Sequence, residues 1–361
     1  MGEVKVIFFI ALVCCFSSVA GEKCYALVLS GAGSQGAYQA GVIQGLTNYQ
    51  PDPLNTLCYD AVAGVSAGSL NALGLGGYKN TEVNEGAEFI YSLWNTIPDN
   101  NAFGNWPGGI IQGLFAKPGL FDLSPGKEWV KKNWQDRTVN RKISFATVDS
   151  QEATYVVYDY NATGTIPDDY IDSAFASSSI PAFFPPTNRD DKTLIDGGVV
   201  WNIDIPTAVR RCYEVVEDQK DMIIDMVVVG NPDIGHVTDF SRYTTLGHFE
   251  RARKINSFYN YMNDYRSAAE LYPDVEFRYF IYPSDNLPGG VLPLDFGREA
   301  VDECFAIGQK DAENAVKLGS GGYGKILLEY SDRIRNGEDV NLSDMIEARI
   351  QEIENSETVS K

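Results

Sequence analysis

Residues 59–72 read YDAVAGVSAGSLNA and set Ser66 between Gly64 and Gly68. An apolar run precedes this G-x-S-x-G pattern, and an Ala/Leu stretch of helical character follows it. That order predicts a strand, a sharp turn and a helix, the setting of a nucleophile elbow made of Gly64, Val65, Ser66, Ala67 and Gly68. The turn lifts the serine clear of the sheet in a strained conformation, and the flanking glycines let strand and helix approach closely. A serine hydroxyl needs a base before it can attack a carbonyl. Histidine is the usual one, but the chain has only two, His236 and His248. Another candidate stands in LIDGGVVWN, where Asp196 ends a short apolar run and Gly197 and Gly198 follow at once. On its own, such an Asp-Gly pair also fits an ordinary turn.

A third segment could hold an anion. Residues 27–41, LVLSGAGSQGAYQAG, carry Gly31, Gly33 and Gly36 between a strand-like run and a helix-compatible one. The G-x-G-x-x-G spacing suits a dinucleotide pyrophosphate or a charge that exists only in a transition state. A dinucleotide site needs an acid ~20 residues further on, at the end of the next strand. Asp60 has the spacing but opens its strand, which ends in Gly64-Val65-Ser66 with no acid. The loop therefore reads as a cradle for a transient oxyanion rather than for an oxidoreductase cofactor. LGSGGYGKI (318–326) matches the same spacing by composition alone. A helical stretch precedes it, so it reads as a connection between helices.

These residues need a frame. Strand-like runs lie at 25–30, 59–65, 143–148, 154–158, 193–195, 222–229 and 277–282. Helical periodicity fits 37–48, 67–78, 84–95, 126–134, 206–216, 250–270, 296–317 and 325–335. The alternation predicts an α/β fold with a mainly parallel sheet covered by helices on both faces. The Gly/Pro-rich, aromatic stretch 97–120 has no clear period and reads as a long loop, a candidate lid. The charged segment 331–361 reads as an acidic C-terminal tail, with Ile346, Ile350 and Ile353 spaced for one short helix.

The chain has 361 residues, 44% hydrophobic and 22% charged, and a formal charge of −20. Such an acidic balance argues against nucleic-acid binding and against electrostatic attraction to an anionic membrane. Residues 1–20 read as a signal peptide: Lys5, an apolar run from Val6 to Phe16, then a small-x-small site at Ser18 and Ala20. The expected locations are the outside of the cell or the lumen of an acidic, lysosome-like organelle. Cys24, Cys58, Cys212 and Cys304 remain after cleavage, without the C-x-x-C spacing of a zinc site. Cys24 and Cys58 each stand just before a strand, and neighbouring parallel strand starts are close enough to bridge, so a Cys24–Cys58 disulfide is expected. Cys212 and Cys304 then pair by elimination. Sequons occur at Asn161 and Asn341.

Taken together, the ordered blocks Gly31–Gly36, Gly64–Gly68 and Asp196–Gly198, with ASSSIPAFFPP (176–186) between the last two, resemble the patatin-like phospholipases, a family of lipid acyl hydrolases. The likeness runs in block order from about residue 25 to 320. It implies a three-layer α/β/α patatin-like fold over residues 21–330. It also implies a Ser66–Asp196 dyad without histidine, and an oxyanion hole built from Gly31, Ala32, Gly33, Ser34, Gln35 and Gly36. The family loop often reads G-G-G-x-R-G or G-G-G-x-K-G, and here Ala32 and Gln35 replace the middle glycine and the basic residue. The expected function is hydrolysis of fatty-acyl esters of phospholipids or related lipids through an acyl-enzyme, with no metal or cofactor. Transient contact with a membrane interface is expected, and no protein partner is inferable. The alternative is a secreted binding or storage protein on the same scaffold.

Overall fold

The computed structural model describes residues 23–51, 57–97, 102–134, 137–232, 234–235, 237, 239–241, 243–288 and 294–359. The expected signal peptide and His236 lie outside them.

Strands β1 (Cys24–Leu29), β2 (Ala61–Val65), β5 (Lys142–Asp149), β6 (Thr154–Tyr160), β8 (Lys192–Asp196), β9 (Met222–Val227) and β10 (Glu276–Ile281) fall close to the expected runs. The sheet order is β10-β9-β1-β2-β5-β8-β7, with β7 (Thr187–Arg189) at the edge and β6 also paired to β5. The five strands from β10 to β5 are parallel, whereas β6, β8 and β7 join antiparallel. Central strands such as AVAGV and MIIDMV are buried at every residue. Sheets covered on both faces require such continuous apolar runs.

Helices flank the sheet. Helix α1 (Gly36–Tyr49) starts at the end of the glycine loop, and α2 (Ala67–Gly76) starts directly after Ser66. Next come α3 (Val83–Thr96), α4 (Gly109–Ala116), α5 (Ser124–Trp134), α6 (Tyr170–Ser177) and α7 (Ile205–Cys212). Then follow α8 (Thr245–Leu271), α9 (Arg298–Leu318), α10 (Gly322–Arg335) and α11 (Leu342–Val359). Helices α4 and α6 were not expected from periodicity. Helix α4 lies inside the stretch read as a loop, which also carries β3 (Gly104–Asn105), paired to β4 (Phe121–Asp122). In the C-terminal segment, α11 buries Leu342, Ile346 and Ile350 against the body of the protein.

The expected Cys24–Cys58 bridge is not formed. Cys24 is joined to Cys212 at a Cα separation of 5.5 Å, and Cys58 and Cys304 are buried outside any disulfide. The pairing of Cys212 with Cys304 falls with it. Alternate side chains of a strand leave opposite faces. Cys24 leaves β1 toward α7, whose last residue is Cys212. Cys58 sits instead near Tyr25, the neighbouring residue of β1. Proximity of the strand starts was not sufficient, because the helix covering that face supplies the partner.

Deep in the sheet, Asp225 of β9 accepts from Arg278 Nε at 2.9 Å, from the Tyr59 hydroxyl at 2.7 Å and from the Tyr279 amide at 3.2 Å. A buried charge survives there because charge and hydrogen bonds are both supplied.

Candidate active site

Ser66 follows the last residue of β2, Val65, and precedes the first residue of α2, Ala67. Its backbone adopts φ 54°, ψ −125°. A non-glycine residue is strained there, and such strain clusters at functional sites. The flanking glycines are sterically required. A Cβ on Gly64 would collide with Gly68 O, and one on Gly68 with Leu29 O of β1. Ser177, at the end of α6, braces the turn. Its hydroxyl accepts from the Ser66 amide at 2.8 Å and donates to Ala146 O at 2.5 Å.

Strand register aligns the three blocks. Leu29 pairs with Gly64 and Val65 with Ala146, so Ser66 emerges level with Gly31 and Thr147. Thr147 pairs with Asp196 across the antiparallel β5–β8 ladder. Strand β8 therefore reaches the catalytic-side edge while running against β5, not along it.

Asp196 is 5% exposed, as is Ser66. Its Oδ1 accepts from the Gly198 amide at 2.7 Å, while Oδ2 is buried without a hydrogen-bond partner of normal geometry. Burial pushes the carboxyl up from 3.8 to about 6, and the Ser66 hydroxyl and Gly198 amide pull it part of the way back. The Ser66 hydroxyl is thus near enough to stabilise the carboxylate, without closing a full bond to Oδ2. Catalytic hydrogen bonds are commonly loose until substrate is bound.

In the glycine loop, Gly33 sits at φ 57°, where glycine is comfortable, whereas Ala32, at φ −144°, lies outside the left-handed region. Gln35 Nε2 donates to Pro288 O at 2.9 Å, anchoring the loop by an uncharged contact. Ser34 is buried and its Oγ has no hydrogen-bond partner. The amides of Gly31, Gln35 and Gly36 are engaged with Asn202 O, Ala32 O and Gly33 O. Asn202 also donates through Nδ2 to Gly31 O at 3.2 Å and to the Tyr261 hydroxyl at 2.5 Å. It ties the glycine loop to the segment that carries Asp196 and Gly197.

Two cavities meet at Ser66, sharing Gly33 and Ile180 as well. One, of about 820 Å³, is open and polar, with Asn202, Asn231, Asn260, Tyr261 and Asp264 in its wall. The other, of about 80 Å³, is apolar and bounded by Leu70, Trp94, Val130, Phe175, Phe184 and Phe296. Phe184 lines this pocket, whereas its neighbour Phe183 does not. Ile97 and Ala102 contribute from the expected lid. Among the described residues no histidine lines either cavity, and His248 stacks on Phe240 at 5.8 Å. Both sequon asparagines are exposed, Asn161 accepting from Arg211 at 2.7 Å.

Asn202, Ser177 and the α8 residues Asn260, Tyr261 and Asp264 were not foreseen. Asn202 ends the quoted LIDGGVVWN and Ser177 lies in ASSSIPAFFPP, but nothing local marks either as a brace. Asp264 is pushed up to about 6 by burial alone.

A serine on a strained elbow, level with a buried carboxylate on a mainly parallel sheet, is the arrangement that a hydrolase pairing serine with aspartate requires. The family model described as patatin-like phospholipase matches residues 27–209, and the chain belongs to that family. The matched segment holds both Ser66 and Asp196, and the family characteristically uses a Ser–Asp dyad. No curated protein matches the chain. Among solved structures it is similar to VipD from Legionella pneumophila, at 12% identity and TM-score 0.34, over 94% of this chain and 81% of that one. It is also similar to the ExoU–SpcU complex of the Pseudomonas aeruginosa type III secretion system, at 11% identity and TM-score 0.37, over 94% of this chain and 59% of that one.

Proposed function

We propose that the protein is a secretory-pathway serine acyl hydrolase that cleaves fatty-acyl esters of phospholipids or related lipids. The observation that carries this reading is the position of Ser66, strained and level with Asp196, where an apolar pocket meets a polar cavity. An ester of a fatty acid has the same two-sided character: the acyl chain suits the apolar pocket and the head group the polar cavity.

In this mechanism Ser66 Oγ attacks the ester carbonyl as its proton passes to Asp196. The amides of Ala32, Gly33 and Ser34, between those already engaged, hold the tetrahedral oxyanion, helped by the N-termini of α1 and α2. The departing alcohol takes the proton from Asp196 and leaves an acyl-Ser66 ester. Water then gives a proton to Asp196 and attacks that ester, the proton returns to Ser66, and the fatty acid is released. A carboxylate raised to about 6 is a better base than an ordinary aspartate and is still ionised at neutral pH.

Secretory targeting rests on the leader-like residues 1–20 and is supported by the Cys24–Cys212 disulfide, which suits an oxidising compartment. The decisive experiment is labelling with a fluorophosphonate probe beside an ester-hydrolysis assay. The intact protein should label at Ser66 and turn over, and Ser66→Ala should do neither. An unlabelled, inactive wild-type protein would transfer the case to a binding or storage role.

A further inference from the structure

The exposed apolar surface is concentrated around the site. Helix α4 turns Ile110, Ile111, Leu114 and Phe115 to solvent, with Ile111 75% and Phe115 82% exposed. Its Gly113 packs on Leu120, whose amide bonds Ala182 O, one residue beyond Pro181 of the polar cavity. Val199, Val200 and Trp201 form a second exposed apolar stretch on the cavity wall itself. A third lies on the first turns of α8. Leu246 and Phe249 are exposed there, one turn ahead of the wall residues Glu250 and Arg253 and on the same stripe of the helix.

The charge of this rim departs from that of the chain. In sequence, residues 97–120 carry one acid, Asp99, and one base, Lys117, and 199–201 carry no charge. The α8 turns 245–254 carry Glu250 against Arg251, Arg253 and Lys254. A net positive, apolar rim on a chain of formal charge −20 is complementary to a surface with apolar chains behind phosphates.

From this arrangement we propose that α4, residues 199–201 and the first turns of α8 form one docking surface for a phospholipid bilayer. That surface sets the two cavities against the membrane, so that a lipid reaches Ser66 without crossing open water. The proposal rests on the acyl-hydrolase reading for its purpose, but the surface itself is read from exposure and charge. Attraction to the bulk charge of anionic lipids is not its basis, because the whole chain is acidic.

The test is co-sedimentation of the intact protein with vesicles of a non-cleavable dialkyl phosphatidylcholine, beside hydrolysis of a dissolved short-chain ester. The wild type should bind the vesicles. Ile111→Ser/Phe115→Ser and, separately, Leu246→Ser/Phe249→Ser should weaken binding at least about tenfold while leaving dissolved-ester turnover within about twofold. Leu271→Ser, exposed at the far end of α8, should bind as the wild type does. Absent wild-type binding, equal binding by the rim variants, or an equal loss in Leu271→Ser would overturn the proposal. Vesicle binding without ester turnover would instead defeat the acyl-hydrolase reading and leave the docking surface standing.

Discussion

Asp225 and Asp196 are both buried in the same sheet, one within β9 and the other at the end of β8, and the protein treats them in opposite ways. Asp225 is saturated: Arg278 neutralises it, and the Tyr59 hydroxyl and Tyr279 amide complete its acceptors. Asp196 has one backbone amide and an Oδ2 with no partner of normal geometry. The first arrangement holds β9 to β10. The second leaves a desolvated acceptor beside a serine hydroxyl, at the edge of a cavity that a substrate can enter. Burial is common to both, so it does not distinguish a structural carboxylate from a reactive one. The distinction lies in whether the surroundings finish the hydrogen bonding or leave part of it open.

Replacing each aspartate by asparagine sharpens that contrast. Asp196→Asn should lower kcat for ester hydrolysis by about a thousandfold or more, the loss typical when one member of such a unit is removed. Its melting temperature should hold or rise, since a desolvated charge is removed. Asp225→Asn should do the reverse. It leaves Arg278 buried without a counter-ion, which commonly costs ~3–5 kcal/mol of stability. The fraction that remains folded should retain its turnover. Urea unfolding and active-site titration on both variants check this, and a stability loss in Asp196→Asn equal to that in Asp225→Asn would erase the distinction.

The same open-versus-finished contrast sets the pH response. Asp196, Asp264 and Asp311 are all raised to about 6, in each case mainly by burial. A carboxyl raised above its unfolded value of 3.8 stabilises the fold fully below that value, and the contribution is lost as pH rises through about 6. The melting temperature should therefore be higher at pH 5 than at pH 7.5, helped by reduced repulsion in a chain of formal charge −20. Asp159 and Glu214, held low by arginine and lysine partners against the opposing effect of burial, act the other way. They lie nearer the surface, where screening weakens them. Activity should run opposite to stability, because Asp196 must be ionised to accept the Ser66 proton. A pH–kcat/KM profile should fall about tenfold per unit below an apparent pKa near 6. A flat profile down to pH 4.5 would remove Asp196 as base.

What was legible in the sequence follows a physical rule. The elbow and the aspartate turn are local devices, whose residue types are dictated within five positions by close backbone approach. The strands were readable because parallel sheets buried on both faces demand continuous apolar runs. The partners of Cys24 and of the glycine loop were not readable. Cys212 and Asn202 are remote in sequence and meet their partners only after β1 is covered by α7 and β8 is registered on β5. Helix α4 was missed because its apolar residues face water, which inverts the periodic signal of a core-facing helix.

The smallest expected effect concerns Ala32, where this chain departs from the glycine common in the family loop. A methyl group there could obstruct the oxyanion or could be neutral, and the backbone decides between them. Ala32 has a negative φ of −144°, whereas its neighbour Gly33 has φ 57°. The left-handed position in this loop is thus filled by glycine, and Ala32 occupies one that does not need it. Ala32→Gly would then gain no conformational freedom required for catalysis, while losing ~0.5–1 kcal/mol of backbone order in the loop. Its kcat should stay within about threefold of wild type, with any change downward, since loosened amides hold an oxyanion less well. Steady-state kinetics on a dissolved ester measure this. A gain of tenfold or more would mean that the methyl group stands in the path of the oxyanion.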